Sequence, residues 1–129
     1  MLSGLRILVV EDERGVRLLL RRLLEAAGAT VAVATSPDEA LAEFDRQPPD
    51  VLVSDIRMPG GDGYQLIRRV RERPADRGGR IPAVAVSGSV SAEDIAKILA
   101  AGFQKFIRKP FGVAEMREAI RTLAGRAGA

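Results

Sequence analysis

Five short apolar runs, each followed by a segment with helical periodicity, constrain the fold of this chain more than any other feature. The runs have the length and the apolar character of buried strands, and they span residues 6–10, 30–34, 51–54, 83–87 and 105–107. Successive strand–helix units pair their strands in parallel through right-handed crossovers, with helices on both faces. The sequence therefore predicts an α/β fold, a doubly wound five-stranded parallel sheet.

Capping and stop residues mark the predicted helices. Ser36, Pro37 and Glu39 follow one another as N-cap, first-turn proline and capping-box glutamate. Ser91 opens a helix in a similar way, and segments 64–73 and 113–124 complete the set. The first helix ends at Gly28, and its predicted buried stripe consists of Val16, Leu19, Leu20, Leu23, Leu24 and Ala27.

The composition excludes several kinds of chemistry. The 129 residues include neither cysteine nor histidine, so disulfides, thiol catalysis and the commonest general base are absent. A bound metal is then expected to be a hard cation held by oxygens, such as magnesium. No segment reads as a linker, so a single domain over 1–129 is expected, with a core from about residue 5 to residue 123.

The absence of a membrane-spanning run and of a signal peptide pattern predicts a cytoplasmic protein, and the distribution of charge bears on its partners. No apolar run approaches the roughly 20 residues that cross a bilayer, and the first residues lack the pattern of a signal peptide. The net charge is +3, with arginines concentrated between residues 68 and 80. No aromatic residues are interleaved with these arginines, and a solvated helix face explains them, so we expect neither direct nucleic-acid binding nor membrane association.

Charged and hydroxyl side chains gather at the predicted carboxyl ends of four strands. Glu11 and Asp12 follow the first strand, Asp55 the third and Lys109 the fifth, while Ser87 ends the fourth. In a doubly wound sheet these ends line the ligand crevice. Three carboxylates there require counter-charge, which a lysine and a magnesium ion would supply. Such an aspartate is suited to accept a phosphoryl group as a nucleophile.

Four segments together resemble the receiver domain of two-component response regulators: ILVVEDE, SDIRMPGGDGY, AVAVSGS and FIRKPF. The resemblance implies a flavodoxin-like fold with strand order 2-1-3-4-5. It also implies a phosphoacceptor switch in a two-component system or phosphorelay, with Mg²⁺ as cofactor and without a classical enzyme activity. The implied partners are a histidine kinase or histidine phosphotransfer protein, a downstream protein target, and a second copy bound through the fourth helix, fifth strand and fifth helix.

The resemblance also assigns the phosphoryl and metal site. Asp55 matches the phosphoacceptor, and Glu11, Asp12 and Asp55 match the metal ligands together with the backbone carbonyl of Arg57. The Arg57 side chain is then expected to point out over the mouth of the site, where it either covers the phosphoryl group or extends into solvent. Gly61 departs from the family, which often has methionine or leucine there, and is expected to loosen the loop after Asp55.

The remaining assigned residues concern catalysis, switching and docking. Ser87 and Lys109 match the catalytic hydroxyl and lysine, Ser87 and Phe106 match the switch pair, and the bond from Lys109 to Pro110 is implied to be cis. Phosphotransfer partners of the family dock near the site on the first helix. Leu18, which lies opposite the predicted apolar stripe of that helix, is therefore expected to belong to a docking patch.

Three other functions remain as alternatives. A degenerate receiver would bind its partners regardless of phosphate, although the full set of acids, hydroxyl and lysine argues against it. A flavin carrier on the same fold would need a serine- and threonine-rich phosphate loop where Glu11 and Asp12 stand. An aspartate-dependent phosphatase would usually need a second aspartate where Arg57 stands.

Overall fold

The computed structural model describes residues 2–58, 62–88 and 91–128, and side chains as far as Gly125. The glycine-rich segment 58–63 predicts a turn; its residues 59–61, and with them the expected effect of Gly61, lie outside the described residues. Within them, strands and helices alternate along the whole chain. The strands are β1 Arg6–Val10, β2 Thr30–Ala34, β3 Val51–Asp55, β4 Ala83–Ser87 and β5 Lys105–Arg108; the α-helices are α1 Arg14–Ala26, α2 Pro37–Arg46, α3 Gly63–Arg71, α4 Ala92–Ala101 and α5 Val113–Gly128.

The five strands form one parallel sheet in the order β2-β1-β3-β4-β5. This order confirms both the predicted doubly wound sheet and the topology that the resemblance implied. The register pairs Val10 with Ser54, and Asp55 with Val86. The carboxyl ends of the three central strands are therefore level, and the strand order reverses between β1 and β3, where such sheets bind ligands.

Side chains alternate between the two faces of the sheet, and each face carries its own hydrophobic core. On one face α1 and α5 cover the sheet, with a core that includes Ile7, Val9, Val53, Ile107, Leu20, Leu24, Met116 and Ile120. On the other face α2, α3 and α4 cover it, with a core that includes Leu8, Leu52, Ala85, Phe44, Ile67 and Ile98. None of the helices in the described residues is long and apolar enough to span a bilayer.

The buried stripe of α1 is narrower than predicted. Leu20, Leu23 and Leu24 are buried, but Leu19 is 53% exposed, so its assignment to the stripe was wrong. Leu19 lies at the edge of the predicted stripe and is absent from the hydrophobic core on this face of the sheet. Leu18, predicted to lie opposite the stripe, is 38% exposed.

At the start of α2 the predicted N-cap is present, but the predicted capping box is not. The Ser36 hydroxyl accepts a hydrogen bond from the Glu39 N–H at 3.2 Å, which confirms the N-cap. The Glu39 carboxylate, however, accepts from the N–H and the hydroxyl of Thr35, at 2.7 and 2.8 Å, and therefore does not close a capping box on Ser36. By contrast, α4 begins with a complete capping box between Ser91 and Asp94.

Segment boundaries differ from the predicted ones by small shifts. α3 ends at Arg71 instead of 73, and the segment after it, predicted to be a loop over 74–80, contains a 3-10 helix at Ala75–Arg77. α5 continues to Gly128 instead of 124. The spacing of apolar residues marks the turns of a helix that pack against the core. It does not mark an exposed last turn, so the ends of helices shift by a few residues.

Arg71, at the end of α3, forms hydrogen bonds with the segments that precede β4 and β5, at the end of the sheet opposite the predicted site. Its guanidinium donates to the carbonyls of Gly79 (3.1 Å), Ile81 (2.7 Å) and Gly102 (2.7 and 3.1 Å), and to the Gln104 side chain at 3.1 Å. Burial lowers the pKa of Arg71, and the charge of Arg80 adds to this. Carbonyl dipoles thus stabilise a half-buried cation and tie the end of α3 to the segments that enter β4 and β5.

Replacing Arg71 by alanine is expected to lower the free energy of unfolding by about 2–4 kcal/mol, since several inward-facing carbonyls lose their donors. Urea unfolding followed by circular dichroism measures the change. Arg69→Ala, on the exposed face of the same helix, is the matched control and should remain within about 0.5 kcal/mol of the parent. Equal effects of the two substitutions would contradict this role of Arg71.

Candidate functional site

The sheet register brings the predicted acidic residues out of neighbouring strands at the same level. Glu11 follows β1 directly and Asp55 ends β3, next to the paired residues Val10 and Ser54. Both side chains continue the strand alternation toward the face that α1 and α5 cover, as does Lys109 after β5. Residues far apart in the sequence therefore converge at one edge of the sheet.

The Lys109 ammonium bridges the two buried carboxylates. Its Nζ donates to Glu11 Oε1 at 2.7 Å and to Asp55 Oδ2 at 3.3 Å. The Glu11 and Asp55 side chains are 2% and 10% exposed, whereas Asp12 lies at the exposed side. One carboxylate oxygen from each of the three acids lies within 4.8 Å of the others. The structure thus brings together Glu11, Asp12, Asp55 and Lys109, four of the residues singled out from the sequence.

Burial shifts the protonation of this cluster. It raises the pKa of Glu11 to about 7, and the hydrogen bond and charge of Asp55 act in the same direction, against the hydrogen bond from Lys109. Burial would lower the pKa of Lys109, but the hydrogen bond to Glu11 and the charges of both carboxylates outweigh it and raise that pKa. Lys109 therefore stays cationic, while Glu11 takes up a proton more readily than an exposed glutamate.

The Asp55 carboxylate is held from two sides. Its Oδ1 accepts from the Ile56 N–H at 2.8 Å, and its Oδ2 accepts from Lys109. Gly63, the first residue of α3, donates its N–H to the Ile56 carbonyl at 2.7 Å. A Cβ on Gly63 would lie 2.5 Å from the Asp55 carbonyl oxygen, so only glycine lets α3 start this close to the strand end. Gly63 was predicted only as part of the turn after Asp55, and its close approach to the strand end was not predicted, although a glycine at a helix start after a strand-end aspartate was a usable signal.

Ser87 and Phe106 lie on the same face of the sheet, toward α4. Ser87 pairs with Arg108 and Phe106 with Ala85, so their side chains share the alternation of that face. Ser87 is buried, and its carbonyl accepts from the Lys109 N–H at 2.8 Å. Phe106 is half-buried, with the Arg108 guanidinium 5.8 Å from its ring centre. Their roles as a switch pair stay predictions.

Two further predictions from the resemblance concern the backbone and Arg57. The bond between Lys109 and Pro110 is cis, as implied. Arg57 is exposed. Hydrogen bonds from Ser91 lower the pKa of Asp94 in α4, and the positive charge of Arg57 lowers that pKa further. Its carbonyl as a metal ligand and its side chain as a cover stay predictions.

Arg17 also reaches the site, from the first turns of α1. Its Nη1 donates to the carbonyls of Glu11 at 3.1 Å and Asp12 at 3.2 Å. This contact was not predicted from the sequence. A usable signal was the position of this arginine, one helical turn into α1. From there its side chain can reach the loop between β1 and α1, residues 11–13, which we call the acidic loop.

Comparison with known proteins identifies relatives over nearly the whole chain. The family model of the response regulator receiver domain matches residues 7–121. An uncharacterized 14.6 kDa protein of Leptolyngbya boryana is 43% identical over 89% of this chain and 86% of its own length. The KDP operon transcriptional regulatory protein KdpE of Escherichia coli is 32% identical over 93% of this chain but only 51% of its own length.

Solved structures agree with these sequence matches. The receiver domain of sensor histidine kinase PA1611 from Pseudomonas aeruginosa superposes with a TM-score of 0.86 at 28% identity, covering 95% of this chain and 99% of that domain. Its structure has a magnesium ion coordinated in the active site cleft. The chain spans about half the length of KdpE. The match therefore concerns that half alone, and the activity of the whole KdpE protein is not assigned to this chain.

Replacing Glu11 by glutamine is expected to change how stability depends on pH. The pKa of folded Glu11, about 7, exceeds its ordinary value of 4.5, so Glu11 contributes stability that is fully present below pH 4.5 and is lost as the pH rises through about 7. Glutamine stays neutral throughout. Glu11→Gln should therefore gain stability relative to the parent between about pH 5 and pH 8, by at most about 3 kcal/mol.

Urea unfolding with a metal chelator measures this difference, since a divalent cation would keep Glu11 ionised. Glu72→Gln, which neutralises an exposed carboxylate, is the control and should follow the parent across the range. A constant difference between Glu11→Gln and the parent at all pH values would contradict the raised pKa.

Proposed function

The chain belongs to the response regulator receiver domain family, and on that premise we propose that it accepts a phosphoryl group on Asp55 from a histidine kinase or a histidine phosphotransfer protein. The observation that carries this proposal is the buried Asp55 carboxylate, fixed by the Ile56 N–H and Lys109 beside Glu11. We place the protein in the cytoplasm as a signalling switch without turnover of a substrate of its own, acting as one domain over 1–129.

The proposed transfer is a displacement at phosphorus. A carboxylate oxygen of Asp55 attacks the phosphorus atom, the bond from phosphorus to the donor breaks, and an acyl phosphate remains on Asp55. Lys109, which forms ion pairs with Glu11 and Asp55 before the transfer, would turn toward the incoming phosphoryl oxygens. Ser87, buried at the end of β4, would donate its hydroxyl to another of these oxygens.

The acidic residues fit a magnesium ion. Glu11, Asp12 and Asp55 offer hard oxygen donors close enough to share one cation, and the exposed side at Asp12 leaves room for the waters that magnesium retains. The Arg57 carbonyl would be a further ligand. When bound, Mg²⁺ would neutralise charge on the transferring oxygens.

The response to phosphorylation is proposed to pass through Ser87 and Phe106 to α4, β5 and α5. The helix α4 is suited to move, because Ile98 is its one fully buried residue. A phosphoryl group that draws the Ser87 hydroxyl inward would favour one packing of Phe106 over another. The altered α4-β5-α5 surface is proposed to bind a downstream protein target, or a second copy as a homodimer, with no direct contact to nucleic acid.

An apolar patch on α1 is proposed to dock the phosphodonor protein. Leu18 and Leu19, 38% and 53% exposed, lie in the helix that begins directly after the acidic loop. A partner seated on this patch would bring its phosphohistidine toward the mouth of the site. A partner that covers two neighbouring leucines removes their apolar surface from water, which favours docking.

Asp55→Asn is expected to abolish stable phosphorylation, because the amide is a poor nucleophile toward phosphorus. The full-length chain would be treated with a small acyl phosphate and magnesium, and the label followed by mass spectrometry. Asp50→Asn, at an exposed aspartate before β3, is the control and should label like the parent. Full labelling of Asp55→Asn would overturn the assignment, and a parent that takes no label would favour a phosphate-independent binding module.

Leu18→Ala is expected to slow phosphoryl transfer from the partner protein by about three- to tenfold, while labelling by a small acyl phosphate is unchanged. Rapid-quench measurements with each donor give the two rates. Leu99→Ala, which truncates an exposed leucine on α4, is the matched control. If Leu18→Ala slowed both donors equally, or neither, the docking patch would be rejected.

A further inference from the structure

Arg17 of α1 is hydrogen-bonded to the backbone of the acidic loop, residues 11–13. Arg17 donates from a single nitrogen to two successive carbonyls, those of Glu11 (3.1 Å) and Asp12 (3.2 Å). Within the described part of the chain, no carboxylate lies within ion-pair distance of Arg17. One turn further along α1, by contrast, Arg21 pairs with Glu25 at 3.3 Å. Arg17 is thus directed at the backbone of the two residues whose carboxylates face Asp55.

Besides Arg17, the backbone of this loop is held by the Glu11 N–H, which donates to the Ala34 carbonyl at 3.0 Å. Glu13, the N-cap of α1, forms no side-chain capping hydrogen bond, and the first turn of α1 contains no acidic residue. The Glu13 N–H instead donates to the Glu11 carboxylate at 3.3 Å. That carboxylate is also bonded to Lys109, and it would have to turn toward a metal. The contacts of Arg17 are made with main-chain atoms, so they persist when the carboxylates change partners.

From this geometry we propose that Arg17 is a positioning residue, which holds Glu11 and Asp12 in the arrangement that binds a divalent cation. Two neighbouring carboxylates beside Asp55 repel one another and favour a loop conformation that separates them. Two hydrogen bonds to a guanidinium fix the carbonyls of both residues and place a positive charge behind the pair. The acid pair is thereby preorganised, and less free energy is lost when the cation binds.

The inference rests on the proposed magnesium-dependent phosphorylation of Asp55, and it makes a separate claim about concentration. Within the described residues, the side-chain hydrogen bonds of Arg17 go to the carbonyls of Glu11 and Asp12 and not to Asp55. Its loss should therefore weaken cation binding without changing the transfer once the cation is bound. Arg17→Ala is expected to raise the magnesium concentration for half-saturation about five- to tenfold, which corresponds to the net contribution of about one ordinary hydrogen bond.

The test compares the parent chain with Arg17→Ala, Arg17→Lys and the matched control Arg21→Ala. Magnesium binding is measured by titration of amide resonances, independently of activity. The initial rate of labelling by a small acyl phosphate is then measured across magnesium concentrations. Unfolding in urea with a chelator reports any loss of stability that does not involve the metal.

Arg17→Ala should show a raised magnesium midpoint in both the binding and the labelling titrations, and should reach within about twofold of the parent rate at saturating magnesium. Arg17→Lys should recover part of the affinity, since an ammonium can donate to both carbonyls, and Arg21→Ala should match the parent.

An unchanged midpoint in Arg17→Ala, or a labelling rate that no magnesium concentration restores, would overturn the inference while leaving the proposed function in place. A parent chain that neither binds magnesium nor takes label would instead remove the proposed function on which the inference rests.

Discussion

The arrangement of the site depends on one ion-pair cluster, in which the Lys109 ammonium bridges Glu11 at 2.7 Å and Asp55 at 3.3 Å. The bridge joins residues that are 98 and 54 positions apart, and it forms only because a parallel sheet aligns the carboxyl ends of its strands. Burying two carboxylates is costly without a cation between them. The packing of β1, β3 and β5 and the charge of Lys109 are therefore interdependent.

The same cluster is poised for chemistry because its charges are incompletely balanced. Burial raises the pKa of Glu11 to about 7 even with Lys109 in contact, so further positive charge at this edge of the sheet is favourable. A divalent cation would relieve the repulsion among the three acids, and an incoming phosphoryl group would give Lys109 a new partner. The electrostatic penalty of the resting site is thus linked to the ligands that the site is proposed to bind.

Two arginines stabilise the framework in the same way at opposite ends of the sheet. Carbonyls that precede β4 and β5 accept hydrogen bonds from the Arg71 guanidinium and stabilise its charge. The carbonyls of the acidic loop stabilise the charge of Arg17 in the same way. Carbonyl groups hold a guanidinium without adding negative charge. At the acidic end this leaves the carboxylates free for other partners, and at the opposite end it secures α3 against the segments that lead into β4 and β5.

The sequence by itself determined the alternation of strands and helices and the identity of the strand-end residues, because apolar periodicity and the polar residues that end each run are local properties. Three strands have the predicted bounds, and β3 and β5 are each one residue longer. Only the tertiary structure decided the exposure of Leu19, the partner of Glu39, the close approach of Gly63 to Asp55, the raised pKa of Glu11 and the contacts of Arg17. Each of these depends on which atoms of other segments, or of a folded loop, come within a few ångströms, and the one-dimensional pattern carries no such distances.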